Sequence, residues 1–257
     1  MTRSATLALL LLLAAPLATA HDFWLVPVGG EIEARTGSRF PVSTNAITPQ
    51  RIAEAVAVSR AGRKPLDVVG TRDSALVLKA DPTIEGMIWA AVALHPRRID
   101  LSAKDFNEYL REDGLPQIHA LREGRGELDR PAVERYQKFA KALIRRPGTG
   151  SVALAALGHR IELVALNDPA ALGRGDTLDI AVRFEGKPLP GLTVHAGYAG
   201  QGDSSHAFTR VSDLQGRIRV PITRPGLWYV RTIHMREAQD PPVDWESFWA
   251  SLTFTVP

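Results

Sequence analysis

Short apolar or alternating runs, cut every few residues by glycine, proline or aspartate turns, fill most of this chain, and that rhythm restricts it to sheet architectures. Up to about Leu101 the runs are Phe23 to Val28, Arg51 to Ser59, Ser74 to Lys79 and Met87 to Leu94, broken at Gly29-Gly30, Ala61-Gly62 and Asp81-Pro82. After Ser151 they are Ile161 to Leu166, Thr177 to Phe184, Leu192 to Tyr198, Arg217 to Ile222 and Leu227 to Ile233, spaced as in a small β-sandwich. The Arg174-Gly175-Asp176 triplet reads as one of the intervening turns rather than as an adhesion motif.

Ser102 to Arg146 has a different pattern. Ser102 followed by Asp105 resembles a capping box ahead of Phe106, Tyr109 and Leu110, and a second short helix carries Ile118 and Leu121. Val133, Tyr136, Ala140, Leu143 and Ile144 then recur at helical spacing between Pro131 and Pro147-Gly148, which predicts a third helix. The charges here mix both signs and read as solvated helix faces. The fold class expected is mainly β: two sandwich domains of Ig-like or prealbumin-like kind, 21–101 and 149–257, with a helical insertion, 102–148, between them. Near the end, Trp245, Phe248 and Trp249 follow Asp244 at i, i+3, i+4 spacing, which predicts a short amphipathic helix packed on the sandwich.

The first twenty residues form a unit of their own. Arg3, an apolar run from Ala5 to about Ala15 and Ala18-Thr19-Ala20 have the order of a secretory signal, and the run is too short for a membrane span. Cleavage after Ala20 makes His21 the mature N-terminus; a cut after Ala18 or an uncleaved anchor are the alternatives. No later stretch is apolar enough to cross a bilayer, and a periplasmic location is expected. The chain holds 31 basic and 28 acidic residues and only Arg3 lies in the leader, so no basic excess marks a nucleic-acid partner. With no cysteine, disulfides, thiolate metal sites and cysteine nucleophiles are excluded.

Catalytic signatures are missing as well. The chain has no G-x-S-x-G elbow, Walker loop, strand-borne G-x-G-x-x-G or H-E-x-x-H. Asp203-Ser204-Ser205-His206 has the residue types of a hydrolytic triad but sits within one loop, so it reads as a polar turn.

What stands out is His21. A free N-terminal histidine offers an α-amine and a ring nitrogen whose ordinary pKa values, about 7.7–8.0 and 6.5, let a metal displace their protons near neutrality. One further imidazole completes a histidine brace suited to copper. His234, at the end of an apolar strand, is the leading partner, with His195 and His206 behind it. Met235 could add a soft ligand, and Asp22, Glu237 or Asp240 could orient the imidazoles. His95 has no clear role, whereas His119 and His159 are expected at the surface.

The segments "AHDFWLVP", "FNEYLREDGL", "ERYQKFAKALI", "LNDPAALGRGDTLDIAVRFEGKPLPG", "GLWYVRTIHM" and "DWESFWASLTF" cover nearly the whole mature chain in order. In them the chain resembles a bacterial exported family catalogued as a domain of unknown function. Its members are often labelled periplasmic components of ABC-type cobalt/nickel transport, of the nickel-uptake kind. The resemblance implies that His21 and His234 belong to recurrent segments. The last sandwich also resembles prealbumin-like and carboxypeptidase-regulatory modules. The function expected is capture or delivery of copper or nickel/cobalt, with an inner-membrane metal transporter as partner. The rivals are a scaffold for a transporter subunit, glycan or peptide, and an oxidative copper enzyme of histidine-brace type. Intact mass of protein recovered from the periplasm should begin at His21; a mass that retains 1–20, or begins at Thr19, would take the α-amine away from His21.

Overall fold

A computed structural model describes residues 21–202 and 206–257. Residues 1–20, on which the expected secretory signal falls, and Asp203-Ser204-Ser205 lie outside the described residues. The chain runs β1 (Asp22–Val28), β2 (Glu31–Gly37), β3 (Ile52–Ser59), β4 (Gly62–Arg72), β5 (Ala75–Ala80), β6 (Met87–Leu94) and β7 (Arg97–Leu101). Two helices follow, α1 (Ala103–Glu112) and α2 (Pro116–Gly124), then β8 (Ala132–Arg145), β9 (Ile161–Ala165), β10 (Thr177–Phe184) and the two-residue β11 (Lys187–Pro188). The remainder is β12 (Thr193–Tyr198), β13 (Phe208–Val211), β14 (Arg217–Pro221), β15 (Gly226–Glu237) and β16 (Trp245–Val256). The protein is mainly β, as its turn punctuation predicts. No helix among the described residues is long and apolar enough to cross a membrane.

Twelve strands form one curled sheet in the order β1-β2-β5-β4-β3-β6-β8-β16-β15-β12-β13, with β7 also on β8. A smaller four-stranded sheet holds β11, β10, β14 and β9. The middle of the large sheet is covered on both faces. Along β6, Met87, Trp89, Ala91 and Ala93 meet β9, β10 and β14, and Ile88, Ala90, Val92 and Leu94 meet β1, β2 and β5 folded back over them. Strict alternation carries these two sets to opposite sides. Leu101 of β7 and the buried faces of α1 and α2 cover the neighbouring part of the sheet, at Ile233, Met235, Trp245 and Trp249.

Two segments differ from their helical expectation. Residues 131–146, read as a third helix of the insertion, contain β8, which pairs antiparallel with β6 and β7 and parallel with β16. Both faces of its second half are buried, from Lys138 to Leu143, so it shows no polar–apolar alternation. The Trp245, Phe248 and Trp249 cluster likewise lies in a strand, β16. A four-residue spacing returns to the same face in a strand as well as in a helix, so Trp245 and Trp249 pack towards α1 while Phe248 joins the opposite core. The capping box is present: Ser102 Oγ accepts from the Asp105 amide at 3.1 Å and donates to its carboxylate at 2.7 Å. The Arg-Gly-Asp triplet is in the turn before β10.

Burial of β8 also takes its charges out of water. Lys141 Nζ donates to Glu162 Oε1 at 2.7 Å with both side chains under 5% exposed, and Glu162 also accepts from the Leu157 and Gly158 amides. Removing one member of such a pair strands the other in a low-dielectric interior. Lys141→Met should therefore lower unfolding free energy by about 3–5 kcal/mol in urea denaturation, and adding Glu162→Gln should recover part of that loss.

Candidate functional site

The start of β1 lies over β8 and β16. Ser251 Oγ donates to the Phe23 carbonyl at 2.6 Å, and Lys138 Nζ donates to the His21 carbonyl. These two contacts fix the His21–Phe23 backbone across the sheet and place His21 at the wall of a cavity of about 290 Å³. Lys138, Glu134 and Tyr136 come to this cavity from β8, Trp249 from β16, Tyr109 from α1, and Arg51 from the turn before β3. Apolar lining is supplied by Ile47, Leu94, Ile99 and Leu101.

Two buried charges form part of the lining. Lys138 lies 4.3 Å from the centroid of the Trp249 ring and 5.3 Å from that of Tyr136, and has no carboxylate within ion-pair distance among the described residues. Burial draws its pKa down to about 8, against the pull of Asp22, Asp113 and Glu134. Glu134 accepts from Tyr109 Oη at 3.1 Å and from Ser247 Oγ, which in turn accepts from Trp249 Nε1 at 2.9 Å. Burial still raises its pKa to about 7, because these donors are neutral and the nearest cation does not touch it. Tyr109 stacks on Trp249 with centroids 5.8 Å apart. The wall is therefore both hydrogen-bonded and stiff.

Beside the cavity a second buried network anchors β1. Arg231 of β15 pairs with Asp22 at 3.2 Å and with Asp113, after α1, at 2.8 Å. Burial pushes both carboxyls above their ordinary values, and the Arg231 guanidinium opposes that. Arg231 also meets His206 Nε2 at 3.0 Å, while His206 Nδ1 and Tyr229 Oη are 2.7 Å apart.

The four histidines expected to hold a metal do not converge. His21 is on the cavity wall, where partial burial and then the Lys138 charge lower its pKa and favour the neutral ring. His234 is on the opposite side of the sheet. Its register row runs through Phe248 and its ring packs 4.6 Å from Phe184, whereas the next row, through Ile233, Trp249 and Lys138, faces the cavity. An odd residue spacing in a strand puts them on opposite faces, so the His21–His234 brace is not formed.

His195 and His206 do come together, their rings stacked 4.0 Å apart. Both ring nitrogens of His206 are engaged, and His195 Nδ1 lies 3.0 Å from Thr209 Oγ1. His195 Nε2 abuts the turn at Gly114, where φ is +79° and a Cβ would fall 2.7 Å from that nitrogen. Burial, then the Arg231 charge, draws both pKa values down to about 3. Among the described residues no group of three or more His, Cys, Asp or Glu side chains is arranged to hold a metal ion.

The accessory residues have other partners too. Met235 is buried beneath the helices, Glu237 pairs with Arg125, and Asp240 is 3.7 Å from Arg135. His95 is exposed; His119 is half-buried, and His159 is buried against Phe139 at 5.2 Å, so neither is the surface residue expected. Sequence reading missed Lys138 and Glu134. Their four-residue spacing imitated a solvated helix face, and the run Phe139 to Ile144 after Lys138, apolar but for Lys141, was the signal that could have found a buried strand.

The fold and cavity define a mainly β chain with a partly open cavity where β1 crosses the central sheet. A family model described as a domain of unknown function (DUF4198) matches residues 18–236, and the chain belongs to that family. Comparison with curated proteins gives no match. Among solved structures, the D0-D1 domain of Intimin aligns over 91% of this chain and 97% of its own at 14% identity. The TM-score is 0.22, too low to carry an argument about fold or function.

Glu134 gives the site a pH signature. The folded protein holds this proton to about pH 7, whereas the unfolded chain releases it near 4.5, so stability falls as pH rises through that window. The contribution is on the order of 3 kcal/mol. Urea denaturation at pH 4.5 and 7.5 should show a fall in wild type that is smaller by about that amount in Glu134→Gln. Asp22 and Asp113 act in the same direction and are present in both proteins.

Proposed function

We propose that this chain is an exported binding protein that holds a small ligand in the cavity beside His21 and carries out no chemistry on it. The observation that supports this reading is the cavity itself, whose polar groups come from β1, β8, β16 and α1 and are fixed by hydrogen bonds and ring stacking before any ligand arrives. Such pre-ordering reduces the entropic cost of binding. The serine hydroxyl among them that donates to a carboxylate, Ser247 on Glu134 beside Tyr109, is fully buried, which favours binding over turnover.

A second reading keeps the transition metal. Once the leader is cut after Ala20, the His21 amine and ring could chelate copper, nickel or cobalt at the cavity wall, as the neutral tendency of the ring favours. The rest of the coordination sphere would then be brought by a small chelator, not by His234, His195 or His206. In this form the protein would present a metal complex to an inner-membrane cobalt/nickel transporter, in keeping with the label often given to the family.

Two titrations on protein beginning at His21 test these readings. The fluorescent probe 1-anilinonaphthalene-8-sulfonate should bind one-to-one, and Thr48→Trp, which narrows the cavity from its exposed rim, should weaken binding by at least roughly ten-fold; binding indifferent to Thr48→Trp overturns the cavity reading. For the metal reading, Cu(II) or Ni(II) binding should be lost in His21→Ala and kept in His234→Ala. Loss in both variants would restore the brace.

A further inference from the structure

Charge inside the cavity is strongly one-sided. Arg51, Arg97 and Lys138 line it, and none of the three pairs with a carboxylate among the described residues. Elsewhere the arginines on exposed strands do find acids: Arg72 with Glu31, Arg98 with Asp100, Arg160 with Glu185, Arg219 with Asp179. The one acid in the lining, Glu134, is turned into the Tyr109–Ser247–Trp249 network. Three cations beside a low-dielectric wall raise a positive potential that attracts anions and opposes a bare metal cation.

The rest of the wall is apolar or aromatic. Trp249 and Tyr136 present ring faces around Lys138, and Ile47, Leu94, Ile99 and Leu101 line the cavity with them. Unpaired guanidiniums suit a carboxylate because their planar donors can grip both its oxygens. Lys138 adds a point charge on the sheet side, and among the described residues the His21 carbonyl is its one hydrogen-bond acceptor.

Taking the cavity as the binding site, we infer that its ligand is a small organic carboxylate with a flat apolar or aromatic body, the carboxylate gripped by Arg51, Arg97 and Lys138 and the body laid against Trp249 and Tyr136. The inference rests on the proposed function, from which it differs in naming the ligand's chemistry. An inorganic anion satisfies the cations but leaves the aromatic wall uncovered. A neutral aromatic does the reverse.

Three probes of one shape separate these cases: 3-phenylpropionate, its neutral amide and 3-phenylpropylamine. Each is titrated into protein beginning at His21, with Trp fluorescence and calorimetry as readouts. The carboxylate should bind at least roughly ten-fold more tightly than the amide, and the amine more weakly still. Arg51→Gln and Arg97→Gln, on half-buried and exposed side chains, should abolish that preference and leave amide affinity and thermal stability unchanged. Inorganic phosphate should bind weakly and leave Trp fluorescence unaltered.

If all three probes bind alike and Thr48→Trp weakens them together, the cavity reading stands and the carboxylate assignment is overturned. If phosphate binds as tightly as the carboxylate, the aromatic part of the assignment is overturned. If none of the probes binds, or Thr48→Trp changes nothing, both the assignment and the cavity reading fall.

Discussion

Everything in this protein depends on a central sheet with no solvent face. β6 is buried along its full length, and β8 beside it is buried on both sides from Lys138 to Leu143. Burial on this scale supplies the main driving force for folding, because apolar surface is removed from water on two sides of one layer. It also sets a rule for every polar side chain there: pair, or face a cavity. Lys141 takes the first course with Glu162; Lys138 and Glu134 take the second.

That rule explains why the site lies where it does. On the side covered by β1 and the helices the packing leaves a gap, between apolar clusters that approach from different directions. β1 brings His21 to the edge of the gap, and its backbone is held there by Lys138 and Ser251. The Asp22–Arg231–Asp113 network then joins β1, β15 and the end of α1 through one guanidinium. Scaffold and site share residues, so a change that loosens the anchoring of β1 also alters the cavity.

Much of this was legible in the sequence. Turn residues delimit β1, β3, β5, β6, β9, β10, β12, β14 and β15 to within a few positions, and Ser102 with Asp105 marks the start of α1. β8 and β16 were not legible as strands. A strand covered on both faces has no alternation to read, and a spacing of four serves either periodicity. His21 could be singled out from its place behind the expected leader, but its neighbours in the fold could not. Facing direction depends on register, which links Lys138 to Trp249 and sets His234 against Phe184 through pairings far apart in the chain. The charges of β8 were the costliest misreading, since they belong to the interior and not to a solvated surface.

The parallel pairing of β8 with β16 has a temporal side. β16 is the latest described strand in sequence, yet it occupies an interior place in the sheet, between β8 and β15. The strands before it can hairpin locally, but no strand of one half pairs with a strand of the other until β16 slots between them. Trp249 reaches the cavity in that same step. Closure over so long a separation is slow relative to local pairing. A chain that emerges from its leading end would thus present β1 and His21 long before β16, and the wall that Trp249 adds to the cavity would be set only after every other described strand is available to pair.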